Sequence, residues 1–232
     1  MRMKTIHIKG LLLLFFIFGN LNITFSQQFH RFSADYTVKY KDREGNPIMK
    51  MGRVFYDSKE KKIVIKNGFP VKEHIIYNDT SIYYIRVGNI VDHVSTISPV
   101  EFSIFHLALN GQLSNYGLDK AGYTIENVIK DKGLIISSWL PSEKYKHSLG
   151  EILVSTKDKK LYGIVFLDLN EKIVSKHVFH KYVNIEGFEF PSEVIRIRYF
   201  DNYELYELTS YKKIEVNESG NDEYYNYQIQ KK

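Results

Sequence analysis

Ser192-Glu-Val-Ile-Arg-Ile-Arg-Tyr-Phe200 places Ile195, Ile197 and Tyr199 in alternation with Arg196 and Arg198. Period two is the signature of a strand with one buried face. Similar segments run in both directions from it. Upstream lie Ser33–Tyr40, Met51–Tyr56, Lys61–Lys66, Lys72–Tyr77, Ser81–Val87 and Asn89–Val94. Further on come Gly133–Trp139, Gly150–Thr156, Lys160–Asp168 and Ile173–Val183, and Glu204–Val216 closes the series. Tyr123–Ile129 reads either as strand or as a short helix. Polar breaks such as Asp42-Arg-Glu-Gly-Asn-Pro47 separate these segments, and Asn67-Gly68 reads as a tight turn. Connections this short favour antiparallel hairpins, because parallel pairing needs a long crossover. Eighteen Tyr and fifteen Phe suit pleated, half-buried surfaces.

One segment breaks the pattern. Ser98-Pro-Val-Glu101 carries a capping box with proline at the first helical position. Phe102, Phe105 and Leu109 follow at helical spacing, and Ile104, Leu107 and Ala108 widen the apolar surface to most of the circumference. Gly111 is placed to end the helix. A helix apolar all round is normally buried. The expectation is a helix over residues 99–110 packed on the sheet, either as a movable lid or as fixed core. Several strands are apolar on both faces: Ile82 and Tyr84 against Tyr83, Ile85 and Val87, and Val165 and Leu167 against Tyr162, Ile164 and Phe166. A sheet with one wet face would alternate cleanly, so both faces need a cover.

The start of the chain speaks to location. Arg2, Lys4 and Lys9 precede the apolar run Leu11–Leu21, and Thr24-Phe-Ser26 follows. That order is the one of a secretory signal peptide, and the run is too short to span a bilayer. The expected organisation is a signal peptide over residues 1–26, one β-rich domain over 27–217 and a polar tail over 218–232, which Tyr224, Tyr225 and Tyr227 can pin. Without residues 1–26 the chain holds 29 basic and 27 acidic residues. So small an excess argues against nucleic acid as a partner. Cysteine is absent, which removes disulfides, thiol catalysis and thiolate metal sites.

No nucleophile elbow, zinc-protease helix, P-loop or dinucleotide fingerprint occurs, and nothing in the sequence asks for a cofactor. His177 and His180 stand three apart on a predicted strand and so face opposite sides, which prevents one metal ion from taking both. Asp92-His93 has the same defect. His106, in the apolar helix, reads as a hydrogen-bonded core or lining histidine.

The layout resembles a known family. A leader, six antiparallel strands, an apolar Pro-started helix and a second run of strands succeed one another. Leu161-Tyr-Gly-Ile-Val-Phe-Leu-Asp-Leu-Asn170 and Gly187-Phe-Glu-Phe-Pro-Ser-Glu-Val194 look like the closing hairpins of periplasmic lipoprotein-carrier (LolA-like) proteins. The resemblance implies a single curved antiparallel sheet, an incomplete β-barrel, with the apolar helix on its concave face. It also implies a soluble, non-enzymatic periplasmic carrier whose hydrophobic cavity takes up a lipid or an acylated lipoprotein. The chain departs from the family in having only Gln27–Arg31 where a helix usually precedes the first strand. Candidate ligand-contacting residues are Tyr84, Phe102, Phe105, Leu109, Trp139 and Phe166. The competing expectation is a non-catalytic module, a β-sandwich-like or sheet protein, that binds another envelope protein or a sugar through an aromatic face. In either case Phe105→Asp is diagnostic: it abolishes lipid uptake if the helix is a lid, and unfolds the protein if the helix is fixed core.

Overall fold

The computed structural model describes residues 28–96 and 99–229. The leader expected over residues 1–26 and the Ser98 cap lie outside the described residues. Thirteen strands form one antiparallel sheet. The first six are β1 (Arg31–Lys41), β2 (Pro47–Asp57), β3 (Lys62–Phe69), β4 (Glu73–Asn78), β5 (Ser81–Arg86) and β6 (Asn89–Ser95). The other seven are β7 (Tyr123–Asp131), β8 (Leu134–Pro141), β9 (Ile152–Lys157), β10 (Lys160–Leu167), β11 (Ile173–Ile185), β12 (Phe188–Phe200) and β13 (Tyr203–Val216). The ambiguous segment after Gly122 is therefore strand β7. The strand order is β6-β5-β4-β3-β2-β1-β13-β12-β11-β10-β9-β8-β7. Two meanders are thus welded through the pairing of β1 with β13, and β6 and β7, consecutive in the chain, become the two free edges. The sheet is single and open, unlike the two packed sheets of a sandwich.

The sheet curls strongly. Four strands separate β4 from β12, which on a flat sheet would put them about 24 Å apart. Yet Tyr77 of β4 feels the charges of Arg196 on β12 and Glu207 on β13. The turn expected at Asn67-Gly68 is absent: both residues lie inside β3, and the chain reverses at Pro70–Lys72. Asn67 is held in the strand because its side-chain oxygen accepts the Tyr36 hydroxyl at 3.0 Å. Tyr36 lies over Gly52, where a Cβ would stand 2.9 Å from the tyrosine ring and 2.2 Å from the Lys66 carbonyl oxygen.

Residues 99–122 carry the chain from edge β6 to edge β7 across the inner face. The expected single helix is broken in two: a 3-10 turn at Val100–Phe102 and α1 (Ile104–Leu109). Ser103 is the break. Its backbone is extended, and its hydroxyl caps α1 by accepting from the His106 N–H at 3.3 Å. Gly111, at positive φ, follows the end of α1 as expected. Phe105 and Leu109 join Phe32, Ala34, Tyr36, Val54, Tyr56, Ile63, Phe188 and Phe190 in one buried cluster. Leu107 joins Leu113, Leu118, Trp139, Ile152, Val154, Leu161, Ile164 and Phe179 in a second. The crossing segment is therefore wedged between the two halves of the sheet and buries residues against both.

The outer face has its own cover at one end. A short helix α2 (Asp222–Tyr225) brings Tyr225 onto Phe55, Val64, Ile76 and Ile85. Tyr225 is buried, edge-on to Phe55 at 5.5 Å, with its hydroxyl donating to Glu218 at 2.5 Å. The Tyr224 ring stacks on Phe55 at 4.7 Å. Strand β12 keeps the expected alternation, with Ile195, Ile197 and Tyr199 half-buried and Arg196 and Arg198 exposed. Its inward residues are Phe188, Phe190 and Val194, so Arg196 and Arg198 also point inward, and half-buried Ile195, Ile197 and Tyr199 point outward. Alternation marked the two faces and the more buried set correctly; that this set lies on the outer face follows from Phe188, Phe190 and Val194. Beyond the buried end of the strand both arginines are exposed, as side chains are that keep a charged head in water.

Candidate functional site

The six residues singled out from the sequence all lie on the inner face or on the segment that crosses it. Phe105 is the deepest on the crossing side. Its ring meets Phe32 at 5.0 Å, Tyr211 at 5.7 Å, Phe190 at 6.0 Å and Tyr56 at 6.4 Å. Leu109 is buried in the same cluster and borders a cleft of about 800 Å³ at the C-terminal end of α1. Leu161, Tyr182 and Phe188 form the opposite wall of that cleft. Phe102, in the 3-10 turn, is half-buried. Trp139 is buried in the second cluster with Ile152, and its indole N–H donates to the Ser137 hydroxyl at 2.8 Å. Phe166 is half-buried beside Tyr116 and His177, at ring distances of 6.3 and 5.3 Å. Tyr84 stands apart on β5, at a cleft of about 500 Å³ with Glu73, Arg86 and Asp92. The structure thus gathers Phe105 with Leu109, and Trp139 with Phe166, on the two sides of the crossing segment.

His106 is half-buried and 2.6 Å from the Tyr56 hydroxyl through its Nδ1. Burial lowers its pKa, so the ring is neutral and ties α1 to β2. His177 and His180 fall on opposite faces of β11, as their spacing requires: His177 touches Phe166 and Phe179, while His180 meets Tyr162 edge-on. Among the described residues no group of three His, Asp or Glu side chains is placed to hold a metal ion.

Sequence reasoning passed over the polar part of the inner face. Cross-strand pairing lines up Ile164, His177, Arg196, Glu207 and Tyr40 on five neighbouring strands. Arg196 and Glu207 form an ion pair at 3.6 Å, with side chains 45% and 18% exposed. Burial, assisted by the Arg196 charge, pushes His177 down to about 3. Burial raises Tyr77, Tyr116 and Tyr211 above the usual phenol range, and all three feel Arg196 as well. These hydroxyls and the imidazole are neutral at every physiological pH, leaving Arg196 and Glu207 as the charged pair of that row. The signal was available in the turns. Glu186-Gly187, both at positive φ, is a two-residue hairpin turn that pairs Ile185 with Phe188 and hence His177 with Arg196. The next hairpin pairs Phe200 with Tyr203 and hence Arg196 with Glu207.

The inner face is therefore graded. Along β12, Phe188 and Phe190 are buried, Val194 is nearly so, and Arg196 and Arg198 are exposed. Along β11, Phe179 is buried, His177 and Ser175 are half-buried, and Ile173 is exposed. An aromatic end under the crossing segment grades into a charged, half-open end.

No family model matches the chain, and no curated protein matches it in sequence. Solved structures do. A LolA superfamily protein from Nitrosomonas europaea superposes with a TM-score of 0.57 at 8% identity, covering 84% of this chain and 90% of that one. A DUF1329 family protein from Desulfovibrio piger superposes with a TM-score of 0.61 at 13% identity, covering 88% and 93%. At these identities the likeness is one of fold, and the fold is LolA-like, as the layout of strands and helix implies.

Proposed function

We propose that this protein is an exported, non-enzymatic carrier that holds a lipid, or the acyl chain of a lipoprotein, against the inner face of its sheet. The observation that carries the reading is the crossing segment. It runs between the two free edges, it buries Val100, Phe105, Leu107, Leu109, Leu113 and Leu118, and α1 within it is just six residues long. A helix this short is not stable by itself and keeps its form through packing alone. An acyl chain entering beneath it replaces one set of apolar contacts by another at about 0.8 kcal/mol per buried CH₂. Phe105 and Leu109 act as the plug, and Trp139 and Phe166 line the space that opens, with Tyr84 outside it at its own cleft. The basic, then apolar, N-terminal segment supports export to the periplasm. No helix among the described residues is long and apolar enough to cross a membrane.

Trp139 is the only tryptophan in the chain, so it reports on this site without labelling. Titration with a brominated fatty acid is expected to quench its fluorescence saturably at one ligand per protein. A folded protein whose Trp139 emission is unchanged by the brominated acid refutes the reading. A second reading has one observation in its favour. Met49, Ile195, Tyr206 and Leu208 border an outward groove of about 660 Å³, a surface fit for another envelope protein.

A further inference from the structure

Arg196 differs from the other arginines whose ion pairs define the fold. Arg31 is held by Asp57 at 2.9 Å and Asp222 at 2.8 Å, and Arg53 by Asp35 at 3.2 Å together with Glu215. Arg196 has one carboxylate, at 3.6 Å, which is too long for a good charge-assisted hydrogen bond. No hydrogen bond to its guanidinium occurs among the described residues. It is nevertheless an inward residue, on the strand that carries Phe188, Phe190 and Val194 into the aromatic end. Arg198, one step nearer the open end and also inward, has no ion pair among the described residues. Glu207 is the only acid of the Arg196 row. Tyr77, Tyr116 and Tyr211, buried on the same face, all feel this charge.

We infer that the inner face takes an amphiphile with an acidic headgroup, its carboxylate or phosphate seated on Arg196 in place of Glu207 and its acyl chain running along β11 and β12 toward Phe179 and Phe190. This deepens the carrier reading and rests on it. The guanidinium fork matches a carboxylate or phosphate in two parallel hydrogen bonds, which Glu207 at its present distance does not supply. The grading of the face orients the ligand: the tail reaches the buried rings and the head stays at the half-open end, where its charge keeps part of its hydration. Glu207 holds Arg196 in place when the site is empty and yields to the stronger partner when it is filled.

The test titrates the mature chain with a fatty acid, an alkyl phosphate and an alcohol of equal chain length, by calorimetry. Wild type is expected to bind at least one acid about tenfold more tightly than the alcohol. Arg196→Gln is expected to bind all three with the alcohol's affinity. Glu207→Gln is expected to tighten the acids and leave the alcohol unchanged, an effect that a merely structural role for the pair does not produce. A preference for only one acid supports the inference and identifies the headgroup as carboxylate or phosphate. Equal binding of all three by wild type overturns the inference and leaves the carrier reading standing. So does an acid preference that survives Arg196→Gln. Failure of folded wild type to bind any of the three overturns both.

Discussion

Replacing Phe105 by Ala removes the ring that ties the crossing segment to four strands. Phe32 on β1, Tyr56 on β2, Phe190 on β12 and Tyr211 on β13 all lose an aromatic neighbour. Phe105 is only 7% exposed, so the cost is that of a core truncation, about 3–5 kcal/mol. A domain of this kind has about 5–15 kcal/mol in total, so the variant still folds. The same contacts oppose opening of the lid. Each 1.4 kcal/mol taken from the closed form raises the open population, and with it the apparent ligand affinity, about tenfold until the open form dominates. Urea unfolding and brominated fatty acid titration, both followed by Trp139, measure the two quantities on one sample. The expected result is a less stable protein that binds the fatty acid more tightly. A loss below about 1 kcal/mol refutes the packing argument. A full loss of stability with unchanged or weaker binding refutes displacement of the segment, and makes α1 ordinary core.

Three further outcomes follow from the packing and the charges. Gly52→Ala sets a methyl group against the Lys66 carbonyl and the Tyr36 ring, and is expected to cost at least about 1–3 kcal/mol in urea unfolding, where a tolerant site would cost a few tenths. His177 is neutral in the folded protein down to about pH 3 but protonates near 6.5 when unfolded, so the stability it contributes is present above pH 6.5 and is lost as pH falls toward 3. His177→Phe is therefore expected to flatten the acid limb of the stability curve in that window, and an unaltered slope would contradict the assignment. Ending the chain after Asn217 strips Tyr224 and Tyr225 from Phe55, Val64, Ile76 and Ile85, and is expected to create a surface that binds a hydrophobic dye and lowers the melting temperature. A truncated protein as stable and dye-silent as the full chain would show that α2 is not a cover.

Most of the architecture was legible because strands declare themselves locally. Tyr36, Val38 and Tyr40 alternate with Asp35, Thr37 and Lys39, and short turns leave antiparallel pairing as the economical solution. What local pattern does not carry is the long-range weld of β1 to β13, whose partners Tyr36 and Tyr211 lie 175 positions apart. The helix was placed correctly and its length was not, because Ser103 takes an extended backbone and caps α1 itself, which apolar spacing does not reveal. Which face of the sheet each side of β12 takes was not legible, for a related reason. Alternation gives the half-burial of Ile195 and Ile197 but not the face they take, whereas Phe188, Phe190 and Val194 fix the inner face at the buried end and carry Arg196 onto it. Arg196 and Glu207 were therefore out of reach of motif reasoning, though not of hairpin register: the Glu186-Gly187 turn sets His177 against Arg196, and the Phe200–Tyr203 hairpin sets Arg196 against Glu207.

Organic extraction of the protein purified from the envelope of the cells that produce it, with mass spectrometry of what comes off, tests the carrier reading most directly. The account predicts about one lipid or acylated peptide per protein, enriched in species with an acidic headgroup. A folded protein that yields an empty extract, and that remains empty after incubation with total membrane lipid, contradicts it.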